Sequence, residues 1–356
     1  KFAEHGLRVK EGIELAVEQA QREGKVVQLV VGDTAGEPDA AGREYERLAS
    51  EGAHVVLGPL LVNTTARVAT QTQRIQVPFD TFTKREKVLS GSNVGFRLGV
   101  TAEDQIRDLL AFATKEAKLS RFAVLYPENE TGKELAAAFR KLAPTMKAQV
   151  LAESSYSTRI SSSVESSVRM LEASPPEAIF IADALESSGA LLQAIKRGSL
   201  AGVALFGSAT WDDPAAIRSY GSMLEGAVYV SPFYLASSNP ETTTFIQQYR
   251  ARYQRDPGVL SGQAYDAAKL AIKSFDFAGM QEVKEARQKL VRNIRNLGDY
   301  EGVTGLLTVA STGEISRRMS VIRYSHGDPV EVMARGLKTS FTADEADEKE
   351  IGPVVR

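Results

Sequence analysis

Two stretches place hydroxyls, a carboxamide and cations directly after apolar runs. These are Gly58, Pro59, Leu60, Leu61, Val62, Asn63, Thr64, Thr65 and, further on, Asp80, Thr81, Phe82, Thr83, Lys84, Arg85, Glu86. Where a strand gives way to a helix, free backbone N–H groups and short polar side chains can receive an anion such as a carboxylate. The same residue types also cap helices, so capping alone is the competing reading of the first stretch. A solvated charged turn is the competing reading of the second.

Bond-making chemistry has few candidates. The turn Gly32, Asp33, Thr34, Ala35, Gly36 lacks the spacing that lets backbone approach a pyrophosphate. Around Thr131, Gly132, Lys133 the phosphate-loop pattern fails, because Pro127 stands where a glycine is needed and Glu134 where a magnesium-binding hydroxyl is needed. No serine has glycine two positions before and after it, and no His-Glu-x-x-His occurs. Asp212 and Asp213 precede Pro214, a pattern that suits helix capping better than acid–base work. With no cysteine and only His5, His54 and His326, thiol nucleophiles, disulfides and Cys-ligated metals are excluded and histidine chemistry has few players. No catalytic residue, cofactor or metal site is therefore expected.

Composition bounds the partners. Lys plus Arg number 43 against 45 Asp plus Glu, so the chain has no global basic field and nucleic acid is not an expected partner. At 43% hydrophobic and 25% charged over 356 residues the chain is that of a packed protein of about two domains. No apolar run is long enough for a transmembrane segment. The first residue is Lys, with neither an initiator Met nor a signal peptide, which suggests a processed or trimmed product.

The elements that must position these corners alternate along the chain. Val9, Ile13, Ala16, Val17 and Ala20 recur at helical spacing, and Gly24 closes that helix before the apolar run Val26 to Val31. That run predicts a strand buried on both faces. Further strands are predicted at Val55 to Leu57, Val77 to Phe82, Phe122 to Tyr126, Gln149 to Ala152, Ala178 to Ile181, Val203 to Phe206 and Ala227 to Val230, with helices between them. Two successive doubly wound parallel-sheet units follow from this rhythm. Three more helices come after Pro232. Then two strands, Gly305 to Val309 and Met319 to Tyr324, are predicted to be joined through the turn Ser311 to Glu314. The acidic tail from Thr342 to Glu350 reads as a solvated extension.

At these residues the chain resembles the type I periplasmic binding proteins, in their leucine/isoleucine/valine-binding branch, over nearly its whole length. The matching pieces are His5-Gly6 leading to Gly12 and Ala16, Gly32-Asp33, Gly58-Pro59, Pro78 with Thr81, Phe96-Arg97, and Tyr126-Pro127 with Gly132. Ala264-Tyr265-Asp266-Ala267 and Tyr300-Glu301-Gly302-Val303-Thr304-Gly305 with Gly313 complete the set. Phe206-Gly207-Ser208-Ala209-Thr210-Trp211, Leu224-Glu225-Gly226-Ala227 and Thr83-Lys84-Arg85-Glu86 are similar to a bacterial subgroup that includes penicillin-binding protein activators.

The resemblance implies an α/β protein of two doubly wound lobes joined by a three-crossover hinge, with crossings near Thr101, Pro232 to Tyr234 and Gly302 to Thr304. Residues 1–103 plus 234–303 would form one lobe, 104–233 plus 304–335 the other, and 336–356 a C-terminal extension. It further implies a non-enzymatic, periplasmic or lipid-anchored extracytoplasmic receptor of an ABC importer. Such a receptor traps a small amino-acid-like or carboxylate ligand in the interlobe cleft by hinge closure and delivers it to an ABC permease. The alternative it implies is a regulator of the same fold that binds a cell-wall synthase, such as a penicillin-binding protein, instead.

The ligand-binding residues expected on this basis are Leu61, Val62, Asn63, Thr64, Thr81, Phe82, Thr83, Thr131, Asp183, Ala209 and Trp211. In amino-acid-binding relatives hydroxyls at the first two corners hold the carboxylate, and an acidic residue and aromatics of the second lobe hold the rest. Here Asn63 stands at the first-corner serine position, Thr83, Lys84 and Arg85 replace a Ser-Ala-Thr pattern, and Ala209 stands at the acidic position. These departures weigh against a standard zwitterion site. Asp183 is expected either to supply the missing anion or to act as a cap, and Trp211 to wall the cleft. Relatives also carry an apolar strand ahead of the segment matching Phe2 to Gly6, central in the first lobe's sheet. The expected occupant of that position is either a strand cut from this sequence or another segment such as Ile351 to Val355.

Overall fold

The computed structural model describes residues 2–85, 87–157, 160–279 and 282–333. The acidic tail, Ile351 to Val355, the 336–356 extension and Glu86 lie outside the described residues.

In chain order the first elements are α1 (Phe2–Arg22), α2 (Pro38–Ser50), β1 (Val56–Leu57), α3 (Val62–Gln71), β2 (Phe79–Thr81) and β3 (Gly95–Arg97). There follow α4 (Ala102–Lys115), β4 (Arg121–Pro127), α5 (Glu130–Leu142), β5 (Gln149–Tyr156), α6 (Ser161–Glu172), β6 (Ala178–Ile181), α7 (Gly189–Arg197), β7 (Ala204–Gly207), α8 (Pro214–Tyr220) and β8 (Val228–Ser231). The chain ends through α9 (Pro240–Tyr253), α10 (Val259–Ser274), α11 (Val283–Arg295), β9 (Asp299–Gly302), β10 (Gly305–Val309), β11 (Ile315–Arg317), β12 (Ser320–Ser325) and β13 (Asp328–Met333). Two compact units result: Lys1–Thr101 with Leu235–Arg318, and Ala102–Tyr234 with the chain from Met319 onward.

In the second unit the sheet order is β13-β12-β8-β7-β6-β4-β5. From β8 to β5 every pairing is parallel, whereas β12 runs antiparallel to both β8 and β13. The predicted runs Phe122 to Tyr126, Ala178 to Ile181 and Val203 to Phe206 fall on β4, β6 and β7. Helices cover both faces of such a sheet, so its strands read as unbroken apolar runs. Phe122, Phe139, Phe180 and Phe206 cluster with ring centroids 5.0–5.8 Å apart, Phe139 stacked on Phe180 and Phe122 edge-on to Phe206.

The first unit carries the parallel sheet β1-β2-β3 and the antiparallel sheet β11-β10-β9. A parallel bridge between Arg97 and Glu314 joins the two sheets, reinforced by the Arg97 amide donating to the Gly313 carbonyl at 3.0 Å. Gly313 has φ +89, and a Cβ there would stand 2.1 Å from the Gly95 carbonyl oxygen, so this approach requires glycine. Helices α1 and α10 pack equally closely: a Cβ on Gly12 would lie 2.1 Å from the Ser261 carbonyl oxygen.

Three expectations are corrected. Val26 to Val31 is extended chain, not a buried strand; Val26 is 93% exposed, and Val30 and Val31 are exposed as well. Its backbone enters no ladder among the described residues, and an apolar run without a ladder partner on either side gains neither hydrogen bonds nor burial. Gly305 to Val309 and Met319 to Tyr324 are not partners. The first pairs with β9 and β11 in the first unit, the second with β8 and β13 in the other. Consequently residues 304–318 lie with the first unit, and the third passage between units falls after Arg318 instead of near Gly302 to Thr304. The first two passages fall after Thr101 and Tyr234.

Candidate functional site

In the first unit β1 leads through a cis Gly58–Pro59 peptide into α3. Leu61 is the N-cap and offers no side-chain acceptor, and the competing reading, capping by Asn63 or a threonine, is not what α3 shows. Thr64 and Thr65 are buried and turn their hydroxyls back to the Leu61 carbonyl, each at 2.8 Å. Among the described residues no side chain caps the first-turn amides of α3. Val62 and the Asn63 side chain are exposed beside them, and a helix of ten residues presents a positive dipole end at that point.

The corner after β2 is closed by its own hydrogen bonds. Fully buried Thr81 donates to the Pro59 carbonyl at 2.6 Å, and its hydroxyl lies 2.8 Å from that of Thr65. Phe82 and Thr83 are buried too, and the Thr83 hydroxyl accepts from the Arg85 amide at 3.3 Å. These contacts hold β1, β2 and α3 together at the carboxyl ends of the strands, where ligands of open α/β sheets sit. Lys84 and Arg85 are exposed there.

Beneath this corner Asp80 is buried and accepts from the Leu98 amide at 3.1 Å. Loss of water pushes its carboxyl up to about 7, against the opposing pull of that amide and of Arg317 and Arg97. Arg97, also buried, pairs with Glu314.

In the second unit the strand order reverses between β5 and β6 on either side of β4, which makes the carboxyl ends of β4 and β6 the topological switch point. Thr131 is exposed in the first turn of α5, whose amides are already engaged: Asn129 accepts from the Gly132 amide at 2.8 Å. Asp183 follows β6, and its carboxylate accepts from the Ala184 amide, the Ser187 hydroxyl and the Tyr156 hydroxyl, all at 2.8 Å. These contacts engage both carboxylate oxygens within the loop and with β5, and neither Glu186–Ser188 nor α7, which follow, carries a side-chain cap.

Trp211 is not a cleft wall. It is fully buried in the core of its unit and donates its indole N–H to the Asp183 carbonyl at 3.1 Å. Its ring lies so close to Gly207 that a Cβ there would stand 2.1 Å from it. Ala209 is partly exposed in the turn that carries Trp211, and its amide donates to the Gln105 side chain at 2.9 Å. Sequence reasoning missed Gln105, Ser208 and Thr210. Ser208 accepts from the Thr210 amide, and exposed Thr210 donates to the Asp183 carbonyl at 3.2 Å. The signal was the Ser-x-Thr spacing after a strand.

Thus Leu61, Val62, Asn63, Thr64, Thr81, Phe82 and Thr83 cluster at strand ends of the first unit, and Thr131, Asp183, Ala209 and Trp211 at strand ends of the second. Among them the exposed groups are Val62, Asn63 and Thr131, while Thr64, Thr81, Phe82, Thr83, Asp183 and Trp211 are buried supports. Among the described residues no group of three or more His, Asp or Glu could hold a metal ion, and no helix is long and apolar enough to cross a membrane.

Two α/β units that present polar corners at their strand ends define a binding-protein architecture. The chain belongs to the periplasmic binding protein family, whose model matches residues 1–329. No curated protein sequence matches it. Among solved structures it is similar to a putative branched-chain amino acid ABC transporter protein from Rhodospirillum rubrum, at 21% identity and a TM-score of 0.84, covering 93% of this chain and 96% of that one. It is also similar to an ABC transporter substrate-binding protein from Desulfitobacterium hafniense in complex with Leu, at 21% identity and a TM-score of 0.71, covering 91% and 95%. A solute-binding protein from R. palustris in complex with benzoate shares 17% identity at a TM-score of 0.65, covering 93% and 92%.

Proposed function

We propose that the chain is a non-enzymatic, extracytoplasmic solute-binding protein of an ABC importer that takes a small carboxylate, amino-acid-like or aromatic. The observation that carries this reading is the open N-terminus of α3. Among the described residues its first-turn amides have no side-chain acceptor, Asn63 stands exposed beside them, and the corner beneath is fixed by the Thr65–Thr81–Pro59 contacts. Leu and benzoate, the ligands of two similar proteins, share only a carboxylate, the group such an amide set receives. A helix N-terminus contributes about 0.3–2 kcal/mol towards an anion, so the rest of a micromolar affinity, about 8 kcal/mol in all, must come from further hydrogen bonds and apolar burial. Closure of the two units on the ligand belongs to the same reading.

The test is a thermal-shift panel of amino acids, benzoates and short-chain carboxylates. A ligand at a hundredfold excess over its Kd adds about 2.7 kcal/mol of stability. One responsive carboxylate with unresponsive amide and ester analogues supports the reading. A panel without any response, together with capture of a purified cell-wall synthase, would instead support the regulator.

A further inference from the structure

The first unit carries a second polar recess, at the opposite ends of its strands. It is a cleft of about 260 Å³ formed by one face of α11 and the residues leading into β2 and β3. Arg287, Arg292 and Arg295 line it, with Gln76, Asn93 and Gln288 as carboxamide neighbours and Val94 and Val291 as an apolar wall. Spacings of four and three residues on α11, from Gln288 to Arg292 to Arg295, put these groups on one helix face. Gln76 precedes β2 and Asn93 precedes β3, so the cleft lies at the amino ends of strands whose carboxyl ends form the corner described above.

Charge in this cleft is one-sided. None of the three arginines makes an ion pair among the described residues, although the chain as a whole balances its charges. Arg287 spends its donors on the Ala49 and Ala53 carbonyls, at 3.0 and 2.9 Å. Arg295 donates to the Asn93 carbonyl at 2.8 Å and lies over the Phe96 ring, while its Nε is buried without a hydrogen-bond partner among the described residues. A buried guanidinium N–H with nothing to donate to is costly unless an acceptor arrives. Arg292 is exposed at the rim.

We propose that this cleft binds the phosphate group of a small phosphate monoester. A monocarboxylate would leave two of three cations uncompensated, whereas a dianionic phosphate with three terminal oxygens matches several guanidinium forks. The cleft exceeds what inorganic phosphate needs, and Val94 and Val291 provide a surface for the organic part of the ester.

Calorimetric titration of the whole chain at low ionic strength, with phenyl phosphate, inorganic phosphate and benzoate as probes, tests this directly. Phenyl phosphate should bind most tightly and lose affinity as salt rises. Arg292→Gln should weaken it roughly tenfold, the loss of one charge-assisted contact, with an unchanged melting temperature. Asn63→Ala, at the other pole of the unit, should leave it unaffected. Absence of binding, equal affinity in Arg292→Gln, equally tight benzoate dependent on Arg292, or loss of phenyl phosphate binding in Asn63→Ala would each overturn the assignment. Because the two sites lie at opposite strand ends, failure here leaves the carboxylate reading at α3 standing, and the reverse holds as well.

Discussion

The carboxylate of Asp266 accepts from the backbone amide of Thr304 at 2.9 Å and from its hydroxyl at 2.5 Å, and from the Val303 amide at 2.7 Å. It thereby ties the middle of α10 to the turn between β9 and β10. Gly302 is part of the device, since a Cβ there would stand 2.7 Å from the Asp266 carboxylate. Burial raises the carboxyl of Asp266, while these three donors stabilise its charge.

Replacing Asp266 by Asn keeps the shape and removes the charge. One carboxamide oxygen cannot serve three donors, and its NH2 would face N–H groups. Asp266→Asn should lower unfolding free energy by about 2 kcal/mol in denaturant titration, with the midpoint moved and the slope kept. An unchanged midpoint would contradict the role assigned to this carboxylate.

Trp211 should behave as core. Trp211→Phe removes the indole donor to the Asp183 carbonyl and leaves unfilled volume in a fully buried position, which costs about 2–3 kcal/mol. Ligand affinity, measured well below the melting temperature, should change little. A large loss of affinity in a variant of wild-type stability would restore Trp211 as a ligand contact.

Asp80 makes stability depend on pH in an identifiable direction. Its native value of about 7 lies above the 3.8 of a free carboxyl. Between those values the folded protein keeps a proton that the unfolded chain releases. Stability from this group is therefore fully present below about pH 4, falls as pH rises, and levels off above pH 7, with a slope of at most about 1.4 kcal/mol per pH unit. Asp80→Asn, which retains an acceptor for the Leu98 amide, should flatten that slope in denaturant titrations at pH 5, 6 and 7. Identical slopes in both proteins would show that Asp80 is not the group responsible.

Much of the second unit was legible because buried parallel strands advertise themselves as apolar runs between helices, as Ala178 to Ile181 and Val203 to Phe206 do. Periodicity does not, however, name a strand's partner. Val26 to Val31 has the composition of a core strand and stands exposed because no neighbouring ladder exists for it among the described residues. For the same reason the partner of Met319 to Tyr324 is not legible: alternation reports a face, and β8 and β13 are the neighbours of this strand. At the site, residue type fixed the corners but not their depth. A buried threonine and an exposed one look alike in sequence, so residue type does not separate Thr64, Thr81 and Thr83, which are buried, from Asn63, which meets solvent. Trp211 had a readable sign, since Gly207 four residues earlier leaves room for its ring.

Backbone amide shifts across a titration provide the most direct test of whether α3 receives the carboxylate. With the carboxylate that stabilises the protein most, the ¹⁵N–¹H resonances of Val62, Asn63 and Thr64 should move and saturate together, and Asn63→Ala should weaken binding by about 1–3 kcal/mol while leaving apo stability alone. A ligand that raises the melting temperature yet leaves those three amides where they were, with Asn63→Ala binding as tightly as wild type, would contradict the account.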